Sequence, residues 1–268
     1  MIETDLRVPD GRTLHTYDTG QGDLVVFWHH GTPNTGLPPE PLFEPGLRWV
    51  SYDRPRYGGS SAAPDRDIAS TAADTAAVAD ALGVGTFALL GHSGGGAHAL
   101  ACAALLPDRV RAVASISSMA PFDAPGLDWF AGMGPTSAAT LRAAAAGRAA
   151  REAVEGGDPD FTAADWAALA GTWSWLGEVV RPALAGDPSA PVDDDLAYVR
   201  PWGFDPATIT AKTLVVHGAD DRLIPAAHGE WLARHIPGAE LRLVPGAGHI
   251  SVLDHAQQVL AWLRLNSG

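Results

Sequence analysis

The sequence is poor in the residues that several classes of protein require. Cys102 is the only cysteine among 268 residues, so no intramolecular disulfide can form. It lies among alanines and leucines of a predicted helix, where cysteine typically serves as a small buried hydrophobe. No apolar run approaches the ~20 residues that a membrane-spanning helix needs. The first residues have neither the basic nor the apolar region of a signal peptide, so we expect a cytoplasmic protein.

The chain also lacks any excess of positive charge. Its formal net charge of −13 at pH 7 disfavours nucleic acid and anionic membranes as partners. His, Cys and carboxylate residues do not cluster at metal-ligand spacing. The run Gly94-Gly95-Gly96 does not fit the G-x-G-x-x-G fingerprint of dinucleotide-binding proteins. The sequence therefore implies no metal and no cofactor, and it favours a small-molecule substrate.

Short apolar runs alternate with helical patterns along most of the chain. The alternation predicts an α/β fold with a mostly parallel eight-stranded sheet flanked by helices, in which the first two strands form an antiparallel edge hairpin. Such sheets bind ligands at the carboxyl ends of their strands. The predicted strands cover residues 2–8, 12–18, 24–29, 47–52, 86–90, 110–116, 213–217 and 240–244, and the helices flanking them cover 68–82, 97–106, 226–236 and 252–265.

Residues 91–95 read Gly-His-Ser-Gly-Gly between a buried strand and an Ala-rich helix. This is the G-x-S-x-G pattern in the strand–turn–helix context that it requires, where the turn exposes the serine hydroxyl at a strained position. A side chain in place of Gly91 or Gly95 would clash in so tight a turn. We therefore predict that Ser93 is a nucleophile.

A serine hydroxyl needs a general base, and the base needs a carboxylate that orients it. His249 follows the last predicted strand in the segment Gly-Ala-Gly-His, and it is the candidate base. Asp220 and Asp221 follow the preceding strand and compete for the role of the acid. The resulting chain order, Ser, Asp, His, is that of the α/β-hydrolases, which this sequence resembles.

Other segments carry the same resemblance, which covers roughly residues 20–120 and 205–265. The family's G-x-x-D-x-x-x-P pattern fits Gly218 and Pro225, and so places the acid on Asp221. Residues 52–60 are similar to the family's D-x-R-G-x-G-x-S segment, although Pro55 stands where glycine is usual. Because the nucleophile is a serine, the resemblance excludes haloalkane dehalogenases and epoxide hydrolases, which attack through an aspartate at this position.

The resemblance also implies an oxyanion hole. One donor should be the backbone N–H of Gly94, the residue after the nucleophile, and the other that of Thr32 in the His-Gly turn after the third strand. Pro33 has no N–H to donate. His30 should brace this loop by hydrogen bonds.

Residues 120–205 break the rhythm of strand and helix. They contain helical patterns over 138–154 and 162–169, and their position matches the helical cap that α/β-hydrolases insert. We therefore predict a core domain in two parts, residues 1–119 and 206–268, around a cap over residues 120–205. One or two of its five tryptophans should line the pocket; they are Trp129, Trp166, Trp173, Trp175 and Trp202.

These features predict a serine hydrolase that cleaves small to medium, largely apolar carboxylic esters through an acyl-enzyme. The same machinery serves other reactions, so a carbon–carbon bond hydrolase, a lactonase, a thioesterase, a perhydrolase or an iminopeptidase remains an alternative. A non-catalytic ligand-binding protein of the same fold is a further one. The sequence leaves the oligomeric state open.

Overall fold

One mixed sheet contains all eight predicted strands in the computed structural model, which describes residues 1–268. The strands are β1 (Ile2–Arg7), β2 (Thr13–Asp18), β3 (Leu24–His29), β4 (Leu47–Tyr52), β5 (Phe87–His92), β6 (Val110–Ile116), β7 (Lys212–Gly218) and β8 (Glu240–Val244). Their order across the sheet is β1-β2-β4-β3-β5-β6-β7-β8. Only β2 runs against the others: it pairs antiparallel with β1 and β4, and the remaining neighbours pair in parallel. The predicted fold class is confirmed.

The two faces of the sheet bury alternate residues of the same strands. In β3, Val26 and Trp28 pack into one core cluster and Phe27 into the other. In β7, Leu214 packs on the first side and Val215 on the second. This period of two is the geometry of a strand that is covered on both faces, and it explains why these strands read as continuous apolar runs.

Nine α-helices accompany the sheet. They are α1 (Thr71–Ala81), α2 (Gly94–Leu105), α3 (Pro135–Ala146), α4 (Arg148–Glu152), α5 (Ala163–Ala170), α6 (Leu176–Ala185), α7 (Ser189–Tyr198), α8 (Ala226–His235) and α9 (Ala256–Asn266). Residues of α1, α2 and α8 pack in the cluster around Phe27, whereas residues of α9 pack on the other face. No helix is both long and apolar enough to cross a membrane.

Several helix boundaries differ from the predicted ones. Helix α2 begins three residues early, at Gly94, because the turn at Ser93 leads three glycines directly into the helix. The helix predicted over 138–154 is two helices, separated where Gly147 adopts a φ of 114°. Helices α6 and α7 were not predicted, because proline and an acidic run weaken their helical pattern.

Helices α3 to α7 all lie between β6 and β7, and we call residues 117–211 the helical insertion. The insertion shares a core cluster with α2, in which Trp129, Leu196 and Trp202 pack with Ala97 and Ala101. Helices therefore fill the region where a cap was predicted. Its division from the core at residues 120 and 205 stays a prediction.

Candidate active site

The turn between β5 and α2 places Ser93 in a strained backbone conformation. Its φ of 57° and ψ of −130° lie in a region that residues with side chains rarely adopt. The flanking glycines permit the turn: a Cβ on Gly91 would overlap the carbonyl of Gly95, and a Cβ on Gly95 would overlap that of His29. The predicted need for glycine at both positions is confirmed.

The structure brings the predicted serine, histidine and aspartate into one hydrogen-bonded chain. Ser93 Oγ lies 2.9 Å from His249 Nε2, and His249 Nδ1 lies 2.8 Å from Asp221 Oδ2. Asp221 and His249 are both buried. Asp220 does not take part, since it is exposed and its side chain makes no hydrogen bond.

The surroundings of Asp221 keep its carboxylate ionised. Oδ1 accepts the backbone N–H groups of Leu223 and Ile224 at 2.9 and 3.0 Å, which leaves Oδ2 for His249. Burial raises the pKa of Asp221, but His249, together with a further contact from His217, outweighs burial and holds that pKa below its ordinary value. A carboxylate in this state can orient an imidazole and stabilise its cation.

Two further residues, His92 and Asp165, hold the backbone around His249 by hydrogen bonds. The ring of His92 donates from Nε2 to the carbonyl of His249 at 2.9 Å, and burial lowers the pKa of His92 to about 3, so this ring is neutral. Asp165 of α5 accepts the N–H groups of Ile250 and Ser251, each at 2.8 Å. His92 therefore supports the backbone of His249, and its ring makes no hydrogen bond to Ser93. Asp165 was not predicted from the sequence, because no local pattern links it to His249.

Thr32 and Gly94, the predicted oxyanion donors, line the same cavity as Ser93. The N–H of Thr32 has no acceptor within the protein. Gly94 is the first residue of α2, where backbone N–H groups have no acceptor within the helix. Neither N–H group therefore has a hydrogen-bond acceptor within the protein, as donors to an oxyanion require.

Arg54 supports the loop that contains Thr32. This fully buried residue comes from the D-x-R-like segment, and its guanidinium donates to the carbonyls of His30 and Gly31 and, at 3.1 Å, to Thr32 Oγ1. His30 completes the support, accepting the Arg54 N–H on Nε2 at 3.0 Å and lying 2.9 Å from the Gly31 carbonyl through Nδ1. The predicted bracing role of His30 is confirmed, whereas the role of Arg54 was not foreseen.

Asp194 of α7 balances the charge of Arg54. The two form a buried ion pair at 2.7 Å, and Arg66 and the Tyr57 hydroxyl also donate to Asp194. Although burial raises the pKa of Asp194, the two arginines hold it well below its ordinary value. Because an ionised carboxylate only accepts hydrogen bonds, Thr32 Oγ1 donates to Asp194, at 2.5 Å.

Tyr198, at the end of α7, lies between the two predicted oxyanion donors. Its hydroxyl is 2.7 Å from Thr32 Oγ1, and since the Thr32 proton points to Asp194, Tyr198 donates to Thr32. A Cβ on Gly94 would overlap the Tyr198 hydroxyl, so only glycine fits there. The helical insertion thus contacts the Thr32 loop and the start of α2 directly.

A cavity of about 220 Å³ opens at Ser93. Its walls combine core residues with residues of the insertion, and no tryptophan is among them. The expectation that cap tryptophans line the pocket is therefore wrong. Four of the five are buried elsewhere: the indole N–H of Trp129, for example, donates to the Ala120 carbonyl and that of Trp173 to Asp254, while Trp166 is largely exposed.

Comparison with known proteins identifies the family. The chain belongs to the alpha/beta hydrolase family, which it matches over residues 25–262. It is 28% identical over 266 residues to the 2-hydroxy-6-oxo-6-phenylhexa-2,4-dienoate hydrolase of Burkholderia cepacia, covering 91% of this chain and 87% of that protein. It is 26% identical to the pimeloyl-[acyl-carrier protein] methyl ester esterase of Nitrosomonas europaea, covering 93% and 97%.

The fold is shared with solved structures at lower identity. A thermophilic esterase from Thermogutta terrifontis superposes with a TM-score of 0.72 at 23% identity, over 100% of both chains. The family and the fold are therefore established, and the reaction is inferred from the site.

Asp194→Ala should destabilise the protein by about 3–5 kcal/mol, because it leaves Arg54 and Arg66 buried without a counter-charge. The free energy of unfolding, measured by urea titration, tests this. Asp158→Ala is the matched control: it removes an exposed aspartate of the same insertion that makes no ion pair, and should cost less than about 0.5 kcal/mol. Equal losses in the two variants would contradict the proposed role of Asp194.

Proposed function

We propose that the protein is a serine hydrolase that cleaves small, uncharged carboxylic esters through an acyl-enzyme on Ser93. The observation that carries the proposal is the hydrogen-bonded chain from Ser93 through His249 to Asp221, which ends in a cavity beside unengaged backbone donors. Serine, histidine and aspartate in this order of contact form the constellation that activates a serine for acyl transfer.

The proposed reaction has two halves. His249 takes the Ser93 proton as Oγ attacks the ester carbonyl, and the oxyanion forms at the N–H groups of Thr32 and Gly94. His249 then gives that proton to the departing alcohol, which leaves the acyl group on Ser93. Water, deprotonated by His249, attacks the acyl-enzyme; the carboxylic acid leaves, and the proton returns to Ser93. Asp221 stabilises the imidazolium in both halves.

The cavity supports a small and uncharged acyl group. At about 220 Å³ it lies below the range of ~300–1,000 Å³ that is typical of pockets for drug-sized ligands. Part of the cavity wall is apolar and consists of Met119, Leu141, Leu223 and Ile224. Neither lysine nor arginine lines the cavity. A substrate carboxylate would be desolvated there without a cation to receive it.

The second candidate is a carbon–carbon bond hydrolase. The Burkholderia cepacia relative favours it, because that protein is named for hydrolysis of a dienoate, and the same triad can serve. A dienoate, however, carries a carboxylate, which this cavity offers no cation to bind. The relative named as a methyl ester esterase is similar to this chain to nearly the same extent. The charge of the cavity thus favours the ester.

Ser93→Ala should reduce the hydrolysis of p-nitrophenyl acetate and butyrate by at least about 10³-fold, because it removes the nucleophile. Initial rates and thermal melting are measured together on parent and variant. The variant should melt like the parent, since the alanine side chain occupies no new space. Retention of more than a tenth of the parental kcat by a folded variant would contradict the proposal.

A terminal carboxylate on the acyl chain should weaken turnover. We expect kcat/KM for the p-nitrophenyl monoester of glutaric acid to be at least about tenfold below that for p-nitrophenyl pentanoate, which has a similar chain length, because the cavity would bury the anion unpaired. The two substrates are compared at one pH and ionic strength. A preference for the anionic ester would favour the carbon–carbon bond hydrolase.

A further inference from the structure

Helix α7 contains three consecutive aspartates, Asp193, Asp194 and Asp195, and all three are buried. The first two have both carboxylate oxygens engaged. Asp193 receives Arg56 on one oxygen and Arg148 on the other, and Asp194 is bonded through both oxygens to its arginines. These two aspartates therefore join the insertion to the core through Arg54 and Arg56, and Asp193 also joins two helices of the insertion through Arg148.

Asp195 differs from its neighbours. Its Oδ2 accepts a hydrogen bond from Arg151 Nε at 2.6 Å, but its Oδ1 has no hydrogen-bond partner in the protein. The residue is only 7% exposed, and it lines the cavity at Ser93. Tyr198, one turn further along α7 and on the same face, lines that cavity too. A largely buried residue with one unpartnered carboxylate oxygen thus lines the substrate cavity.

A carboxylate oxygen that receives no donor from the protein can accept a hydrogen bond from a ligand, and hydrogen bonds to charged groups are stronger than those between neutral groups. The pairing with Arg151 makes the local charge neutral, so a neutral donor suits Asp195 better than a cation does. Thr136 and Thr140 line the same cavity, and neither hydroxyl is engaged within the protein. A substrate hydroxyl could donate to Asp195 and accept from one of these threonines.

We propose that Asp195 binds a hydroxyl group of the substrate, so that the preferred substrates are esters with a hydroxyl on the acyl or the alcohol part. This inference rests on the proposed esterase function and names the substrate class of the same site. Asp195 would act as a specificity determinant, away from the reacting atoms and separate from the triad.

The test uses pairs of esters that differ by hydroxyl against methyl at nearly constant size. Methyl 3-hydroxypropanoate is compared with methyl butyrate for the acyl part, and 2-hydroxyethyl acetate with propyl acetate for the alcohol part. In the parent, one hydroxyl ester should exceed its partner at least about tenfold in kcat/KM, mainly through KM. The methoxy analogue of that ester should lose the advantage, because it cannot donate.

Asp195→Asn is the informative variant, because the amide oxygen can still accept from Arg151 and maintain the fold. Its NH₂ group would then face the cavity and turn an acceptor into a donor. We expect the preference for hydroxyl over methyl to fall about tenfold and the methoxy and hydroxyl esters to become equivalent. Asp193→Asn, which alters the neighbouring aspartate outside this cavity, is the matched control and should retain the parental preference.

The outcomes separate the two proposals. If the parent hydrolyses alkyl esters without preferring either hydroxyl ester, the role of Asp195 is overturned and the esterase function stands. The role of Asp195 is also overturned if the Asp195→Asn variant keeps the preference for hydroxyl esters while its thermal melting shows that it is folded. It is overturned as well if the parent prefers an ammonium ester to the hydroxyl ester. If no ester is hydrolysed at all, both proposals fail.

Discussion

The backbone conformation of Ser93 is the constraint on which the site depends. A φ of 57° at a residue with a side chain is unfavourable, and the structure maintains it by packing β3, β5 and α2 so closely that Gly91 and Gly95 touch backbone. The same close approach brings the Thr32 loop against the start of α2: a Cβ on Gly31 would lie 3.3 Å from that of Ser93. One tight turn therefore places the serine hydroxyl close to the Thr32 loop and to the start of α2.

The helical insertion does more than cover the cavity. It contributes no member of the hydrogen-bonded chain Ser93–His249–Asp221, yet its residues support two loops beside that chain. Asp165 accepts a hydrogen bond from the backbone directly after His249. Tyr198 contacts the Thr32 side chain, and Asp194 supports the same loop through its ion pair with Arg54. Because these contacts are buried, a shift of the insertion would displace the Thr32 loop and also change the shape of the cavity. The position of that loop and the shape of the cavity are thus coupled through the same helices.

Local patterns predicted the part of the site that depends on local geometry. The glycines around Ser93, the strand ends before Asp221 and His249, and the alternation of strand and helix each follow from a few neighbouring residues, and the structure agrees with them. Contacts between distant segments were not predictable in this way. Asp194 meets Arg54 across 140 residues of sequence, and Asp165 meets the His249 loop across 85. The prediction that cap tryptophans line the pocket was wrong for the same reason. The type of residue indicates that a side chain is buried, but not which surface it packs against.

The central claim is that Ser93 carries the acyl group during turnover, and trapping that intermediate tests it most directly. The protein is mixed with p-nitrophenyl acetate, quenched in acid within the first turnovers, digested and analysed by peptide mass spectrometry, with Ser93→Ala treated in parallel. We predict one acetylated peptide, modified at Ser93 and absent from the variant. Ester turnover with an acetyl group on another residue, or with the same adduct in Ser93→Ala, would contradict it.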